Sequence, residues 1–234
     1  MTANKRGSGR SGDRDSGRRL KQRVMTAKGR SVSSANWLKR QLNDPYVAEA
    51  KRRGYRSRSA FKLTEIDDKL RLLKPGVRVV DLGAAPGGWT QVAVERGRGG
   101  QVVALDLQEI SPIPGAVILQ GDFLEPEAPE RVRAALEGPV DIVLSDMAGA
   151  ATGQTDVDHL RIMNLVETAL AFAVEVLNPG GAFVAKMLQG GSEQEFQAEL
   201  RRHFATVRRI KPPSSRQDSA EFFFIATGFK GSRG

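Results

Sequence analysis

From residue 77 onward, short runs rich in β-branched residues alternate with stretches of helical periodicity, which limits what this chain can become more than any other feature. Strands are predicted at residues 77–82, 101–105, 117–119, 140–144 and 182–186, and helices at 87–96, 129–136, 157–177 and 193–203. Asn178-Pro179-Gly180-Gly181 is a strong stop for the longest helix, and Lys74-Pro75-Gly76 clears the way for the first strand. Residues 140–144 are apolar apart from Asp141, as expected of a strand covered on both faces. Segments 206–210 and 221–227, joined by a polar loop, predict a terminal hairpin. Strands separated by helical crossovers pair in parallel, so the expected class is α/β, a mostly parallel sheet with helices on both faces and ligands at the carboxyl ends of its strands.

The first third of the chain reads differently. Residues 1–30 are Gly-, Ser- and Arg-rich, with ten Lys/Arg against two Asp, and cannot bury enough apolar surface to offset the cost of ordering. They are expected to form a basic disordered arm, with residues 31–234 making a single domain. Residues 34–54 predict one or two short helices contacting through Trp37, Leu38, Leu42, Tyr46 and Val47. A further helix, capped by Ser57 or Ser59 and running to about Leu70, would bury Phe61, Leu63, Ile66 and Leu70. Eight more Lys/Arg against two acids fall in 31–62, whereas 63–234 hold 18 basic and 23 acidic residues. The formal net charge of +9 therefore sits wholly at the N-terminal end, which suits a polyanionic partner, either nucleic acid or an anionic membrane surface. A solvated tail that only aids solubility is the plainer alternative. The chain has no Cys and two His, which excludes disulfide scaffolds and thiolate chemistry and leaves no histidine-rich metal centre. It shows neither the apolar stretch of a secretory signal nor a membrane-length apolar run, so a cytoplasmic protein is expected.

The first strand runs into Asp81-Leu-Gly83-Ala-Ala-Pro86-Gly87-Gly88-Trp89. A glycine-rich turn between strand and helix lets backbone approach a ligand and aims N–H groups at it. It is neither the dinucleotide G-x-G-x-x-G, because Ala85 takes the second glycine's place, nor a P-loop, because no Lys-Ser/Thr pair follows. Asp106 closes the second strand, where an acid can bond ribose hydroxyls, and Asp122 follows the third, near a base edge. Such acids are common at strand ends, but with the glycine turn they outline a pocket for an adenosyl group without phosphates.

Five blocks carry a resemblance to a known family. The Asp81–Trp89 segment, Ser57-Arg-Ser-Ala-Phe-Lys62-Leu, Ser145-Asp146-Met-Ala148, Phe183-Val-Ala-Lys186 and Ser219-Ala-Glu221 are similar, in family order, to the FtsJ-type (RlmE-like) ribosomal RNA ribose 2′-O-methyltransferases. The resemblance spans about residues 34–230 and leaves the arm unexplained. It implies a Rossmann-like S-adenosylmethionine-dependent fold, a mostly parallel seven-stranded sheet whose last strand is antiparallel. It also implies a catalytic tetrad of Lys62, Asp146, Lys186 and Glu221, with cofactor contacts at Gly83, Gly87, Gly88, Trp89, Asp106, Asp122 and Asp146, and no metal. The implied substrate is a uridine of large-subunit ribosomal RNA, within the assembling subunit, and the implied protein is a monomer. After Ser-Asp-Met-Ala the family continues Pro-Asn, where this chain has Gly149-Ala150.

The tetrad residue types suit that chemistry. A ribose 2′-hydroxyl must lose a proton as it attacks a sulfonium methyl, and a lysine can accept one if burial and a second cation weaken its hold on its own. Lys186 is assigned as that base, with Lys62 orienting the ribose, Asp146 beside the methyl, and Glu221 bonding the hydroxyl region or a lysine. A lone strand-end lysine is ordinarily a solvated edge residue, so the assignment leans on the resemblance. An RNA-binding wall is expected from Lys51, Arg52, Arg53, Arg56 and Arg58, and from Arg208, Arg209 and Lys211. Tyr55 and Trp37 are equally explained as base-stacking or packing residues. Other readings stay open: the same reaction on a transfer RNA, methylation of a small hydroxylated molecule, or an RNA-binding ribosome-assembly factor without catalysis.

Overall fold

A computed structural model of the protein describes residues 43–149 and 154–231, with the backbone alone for 155 and 156. The arm predicted at 1–30, Trp37 and Ala150 lie outside them. Chain contacts divide the molecule at Asp44/Pro45, and Pro45–Gly234 form one compact unit.

Two helices, α1 (Pro45–Arg53) and α2 (Ala60–Leu70), precede the sheet, and the alternation follows as β1 (Val79–Leu82), α3 (Gly88–Arg96), β2 (Val102–Asp106), β3 (Ala116–Gln120), α4 (Ala128–Ala134), β4 (Val140–Ser145), α5 (Thr155–Val176), β5 (Leu177–Leu188), α6 (Glu193–His203), β6 (Phe204–Ile210) and β7 (Glu221–Phe229). The strands form one seven-stranded sheet in the order β3-β2-β1-β4-β5-β7-β6. Pairing is parallel from β3 to β5, and β7 runs antiparallel to both β5 and β6. The terminal hairpin and the antiparallel last strand are as expected. Strand order reverses between β1 and β4, and the crevice beyond their carboxyl ends is where such sheets place ligands.

The inner strands β2, β1, β4, β5 and β7 are buried on both sides, and their period-2 alternation sorts residues between two cores. Val80, Leu82, Val143, Phe183, Ala185, Phe222 and Phe224 pack with α4, α5 and α6. Val79, Ile142, Leu144, Val184, Phe223 and Ile225 pack with α2 and α3. By the same alternation Asp81, Asp146, Lys186 and Glu221 belong to the α2 side of the sheet.

Three expectations need correction. The Asn178-Pro179-Gly180-Gly181 segment stops α5 but forms no loop, because Leu177 already pairs with Val140 and the ladder shifts register before Ile142/Ala182. Likewise β6 begins at Phe204 directly after α6. Ser59 is the N-cap of α2 but its side chain bonds no helix N–H, since its own backbone is already helical (φ −61°, ψ −24°), and its hydroxyl pairs instead with that of Ser57 at 2.6 Å.

Candidate active site

The strand ladder fixes three of the four tetrad positions. Ser145 of β4 is in register with Ala185 of β5, so Asp146, the next residue, arrives beside Lys186. Across the antiparallel pair Lys186 faces Phe223 and Leu188 faces Glu221, which puts Lys186 and Glu221 two positions apart on one face. The first turn of α2 lies over that face and brings Lys62 within 5.7 Å of the Phe223 ring centroid. The outcome is two adjacent ion pairs, Lys186 Nζ to Asp146 Oδ1 at 3.0 Å and Lys62 Nζ to Glu221 Oε1 at 2.7 Å. Lys186 also donates to the Asp146 backbone carbonyl at 2.6 Å. All four side chains are 16% exposed or less, so these are nearly desolvated charges rather than a solvated strand edge. Burial alone would push the Glu221 carboxyl up. The Lys62 ammonium, the Ser215 hydroxyl and the charge of Lys186 outweigh it and hold the group below its ordinary range.

Beside Asp146 opens a cavity of about 200 Å³, lined among others by Gly83, Ala85, Asp106, Asp122, Asp146 and Leu165. Asp106 accepts from the Ala85 N–H at 2.9 Å and the Gln108 N–H at 2.8 Å, and Asp122 accepts from the Leu124 N–H at 2.9 Å. Three carboxylates around one pocket repel a phosphorylated ligand and suit one that carries a positive charge and hydroxyl groups. A larger groove, about 810 Å³ between α5 and α6, contains none of these residues.

Each glycine of the turn makes room for a protein neighbour, and Gly83 also lines the cavity. A Cβ on Gly83 (φ 76°) would stand 2.6 Å from Met147 backbone, so this glycine lets the turn after β1 lie against the one after β4. Gly87 leaves space for Ile113 and Arg56, and Gly88 for the Ser57 hydroxyl. The Trp89 ring is buried against Phe223 and donates to the Ser59 carbonyl at 2.8 Å, away from the cavity lining. None of Gly87, Gly88 and Trp89 is in the lining of the cavity.

One acid that residue reading passed over stands out. Asp81 is fully buried; its Oδ2 accepts from Thr90 Oγ1 at 2.7 Å, while Oδ1 has no partner. Burial first, then the charges of Asp146 and Asp106, overcome the Thr90 bond and push its carboxyl up to about 7. An orphaned carboxylate oxygen behind the glycine turn is a place for a cationic group. Its signal was visible as the acid opening the turn, but nothing in the sequence shows that it is sealed.

The expected RNA-binding wall separates into unlike parts. Lys51 is exposed, whereas Arg52 and Arg53 both pair with Glu49, at 2.5 Å and 2.7 Å. The Arg56 guanidinium donates to the carbonyls of Pro86 (3.3 Å), Ser111 (2.7 Å) and Pro112 (2.8 Å), clasping the glycine turn to the segment after β2. Arg58 donates to the Ser214 carbonyl and lies over the Tyr46 ring. Arg209 stacks on Phe222, 3.7 Å from its centroid, while its neighbour Arg208 belongs to the opposite face of β6. Lys211 donates to the Ser219 carbonyl at 2.6 Å and the Gln217 carbonyl at 3.3 Å. Tyr55 packs edge-on against Phe61 and donates to Glu95 at 2.7 Å, a packing role. Gly149 lies against Arg161. Among the described residues no acid–histidine cluster suits a metal.

Comparison with known proteins agrees with this geometry. The chain is 58% identical to the ribosomal RNA large subunit methyltransferase E of Paramagnetospirillum magneticum, covering 99% of this chain and 98% of that protein. It is 59% identical to the protein of the same name from Xanthobacter autotrophicus, over 92% of this chain and 86% of that one. A crystal structure from Plasmodium falciparum, assigned as a ribosomal RNA methyltransferase, superposes with a TM-score of 0.68 at 29% identity, covering 76% of this chain and all (100%) of that one. A family model for FtsJ-like methyltransferases matches residues 55–229, from just ahead of Lys62 to just past Glu221, and so across every element that builds the paired-ion site. With that span matched, and with relatives this similar along nearly all of its length, the chain belongs to the FtsJ-like methyltransferase family.

Proposed function

We propose that this protein transfers the methyl group of S-adenosylmethionine to the 2′-hydroxyl of a uridine in large-subunit ribosomal RNA, acting as a cytoplasmic monomer on the assembling particle. The observation that carries the proposal is the pair of ion pairs, Lys186–Asp146 and Lys62–Glu221, side by side on one sheet face and bordering the carboxylate-lined cavity. The names of the close relatives supply the ribosomal substrate.

The residues fit the cofactor by the chemistry of their side chains. Asp106 and Asp122 would hold ribose hydroxyls and the base edge, and Asp81 with Asp146 would face cationic groups. Gly83 and the backbone of Gly87, Gly88 and Trp89 would complete the wall. When bound, the cofactor supplies an electrophilic methyl on a positively charged sulfur.

Lys186 takes the proton from the attacking hydroxyl, for which it must be a free amine. Its Nζ lies 3.0 Å from the Asp146 carboxylate and 2.6 Å from the Asp146 carbonyl, at the border of the cavity. Lys62, held by Glu221, points its remaining N–H groups toward the ribose and fixes the line of attack. Base assistance of this kind contributes roughly 10²–10⁴ in rate, and positioning the remainder.

The test is transfer of labelled methyl to undermethylated large subunits, free ribosomal RNA and transfer RNA. Label in an alkali-resistant ribose linkage of the large subunit, lost in Lys186→Ala, is the expected result. Label only in transfer RNA refutes the substrate, and cofactor binding without any transfer supports a non-catalytic assembly factor.

A further inference from the structure

Two elements that build the tetrad also run away from it toward the opposite end of the sheet, and both end at the same groove. On α2, Lys62 stands at the active-site end, and Arg71 follows the helix, nine residues or about 14 Å on. On β5, Ala182 precedes Lys186 by four residues, about 13 Å. Arg71, Lys74, Ala182 and Arg208 line a groove of about 440 Å³ there, together with Pro179 and Gly180. Its three cations come from a helix end, a loop and a strand; all are exposed, and among the described residues their side chains make no ion pair or hydrogen bond. The single carboxylate of the groove, Asp141, is already engaged by the Arg78 N–H at 2.9 Å and the Asn178 amide at 3.2 Å.

Arg71 is unusual in its backbone. It is the one non-glycine residue with positive φ among those described (φ 51°, ψ 51°), at the position after a helix where glycine is the ordinary choice. Arginine there keeps a strained backbone, and among the described residues its side chain has no partner. A functional use of the guanidinium accounts for both.

From these observations we propose that the groove is a phosphodiester-binding site for an RNA segment flanking the target nucleotide, remote from the chemistry. It rests on the RNA-modifying function proposed above and adds a second anchoring point to it. Three cations lining one groove, unpartnered among the described residues, suit a phosphate backbone, and the distance of about 13–14 Å to the tetrad lets one structured RNA engage both.

The experiment compares the full chain with Arg71→Gly and with Lys74→Gln/Arg208→Gln. It measures binding to undermethylated large subunits between 50 and 200 mM salt, S-adenosylmethionine affinity, and melting temperature. Each lost phosphate contact is expected to lower the slope of log affinity against log salt by about 0.7–0.9, a threefold share of the affinity over that salt range. Arg71→Gly is expected to do this while raising Tm by about 2 °C, since glycine relieves the left-handed backbone. Cofactor affinity should be unchanged in every variant. Unaltered RNA affinity and salt slope in the variants, beside normal binding by the parent, would overturn the groove as a site. A parent protein that binds no RNA would instead overturn the functional proposal beneath it.

Discussion

Replacing Asp81 by Asn probes the cost of a buried acid kept for a ligand. Its carboxyl rises from an ordinary value of 3.8 to about 7 because it is sealed from water and faces Asp146 and Asp106. An acid raised in this way binds a proton in the folded state that the unfolded chain has released. Folding stability is therefore full near pH 4, falls as the pH climbs toward 7, and levels off above. A rise of about three units corresponds to at most about 4 kcal/mol at neutral pH. Asn cannot ionise, and its side-chain carbonyl can still accept from Thr90, so the variant lacks that pH-dependent loss. Urea unfolding of the cofactor-free proteins at pH 4, 5, 6, 7 and 8 should show the two nearly equal at pH 4. The gap should widen to a few kcal/mol in favour of Asp81→Asn at pH 7, or a Tm difference up to about 10 °C. Cofactor affinity should move the opposite way, rising through pH 7 in the parent and staying flat and weaker in the variant. Stability curves that run parallel from pH 4 to 8 would refute the reasoning.

Glu221→Gln leaves Lys62 buried without its counter-charge and is expected to cost roughly 1–3 kcal/mol above pH 5. Because the Glu221 carboxyl is held low, its contribution exists above the ordinary carboxylate range and disappears on acidification below it, so a pH series of unfolding midpoints should show parent and variant converging in acid. Trp89→Phe removes the donor to the Ser59 carbonyl and should lose about 1–3 kcal/mol by denaturant unfolding, with cofactor affinity within threefold by calorimetry. Arg56→Ala cuts the clasp on Pro86, Ser111 and Pro112; it should weaken cofactor binding several-fold and leave the salt slope of RNA binding unchanged, opposite to the loss of a phosphate contact.

The architecture was legible because apolar runs such as Ile142-Val143-Leu144 and Phe222-Phe223-Phe224 tolerate only a sheet covered on both sides. Strand pairing then follows from the connections, and with it the meeting of Asp146, Lys186 and Glu221 at one edge. What the sequence did not disclose is how single side chains are used. Arg56 and Arg58 read as phosphate ligands because a run of cations looks alike whether it faces solvent or carbonyls. Only the fold shows Pro86, Ser111, Pro112 and Ser214 turning their carbonyls toward them. The protein neighbours that Gly83, Gly87 and Gly88 make room for were equally hidden, since a missing Cβ does not say which neighbour fills the space. Arg208 and Arg209 are adjacent in sequence yet belong to two faces, a consequence of strand alternation that a cluster count hides. The partnerless oxygen of Asp81 is likewise a property of burial.

The most direct test is the single-turnover rate of methyl transfer on large subunits for the parent and Lys186→Ala, at saturating cofactor. If Lys186 removes the ribose proton from its place beside Asp146, the variant's rate falls by about 10²–10⁴ with cofactor and RNA affinities unchanged. A variant that transfers methyl within threefold of the parent would contradict it.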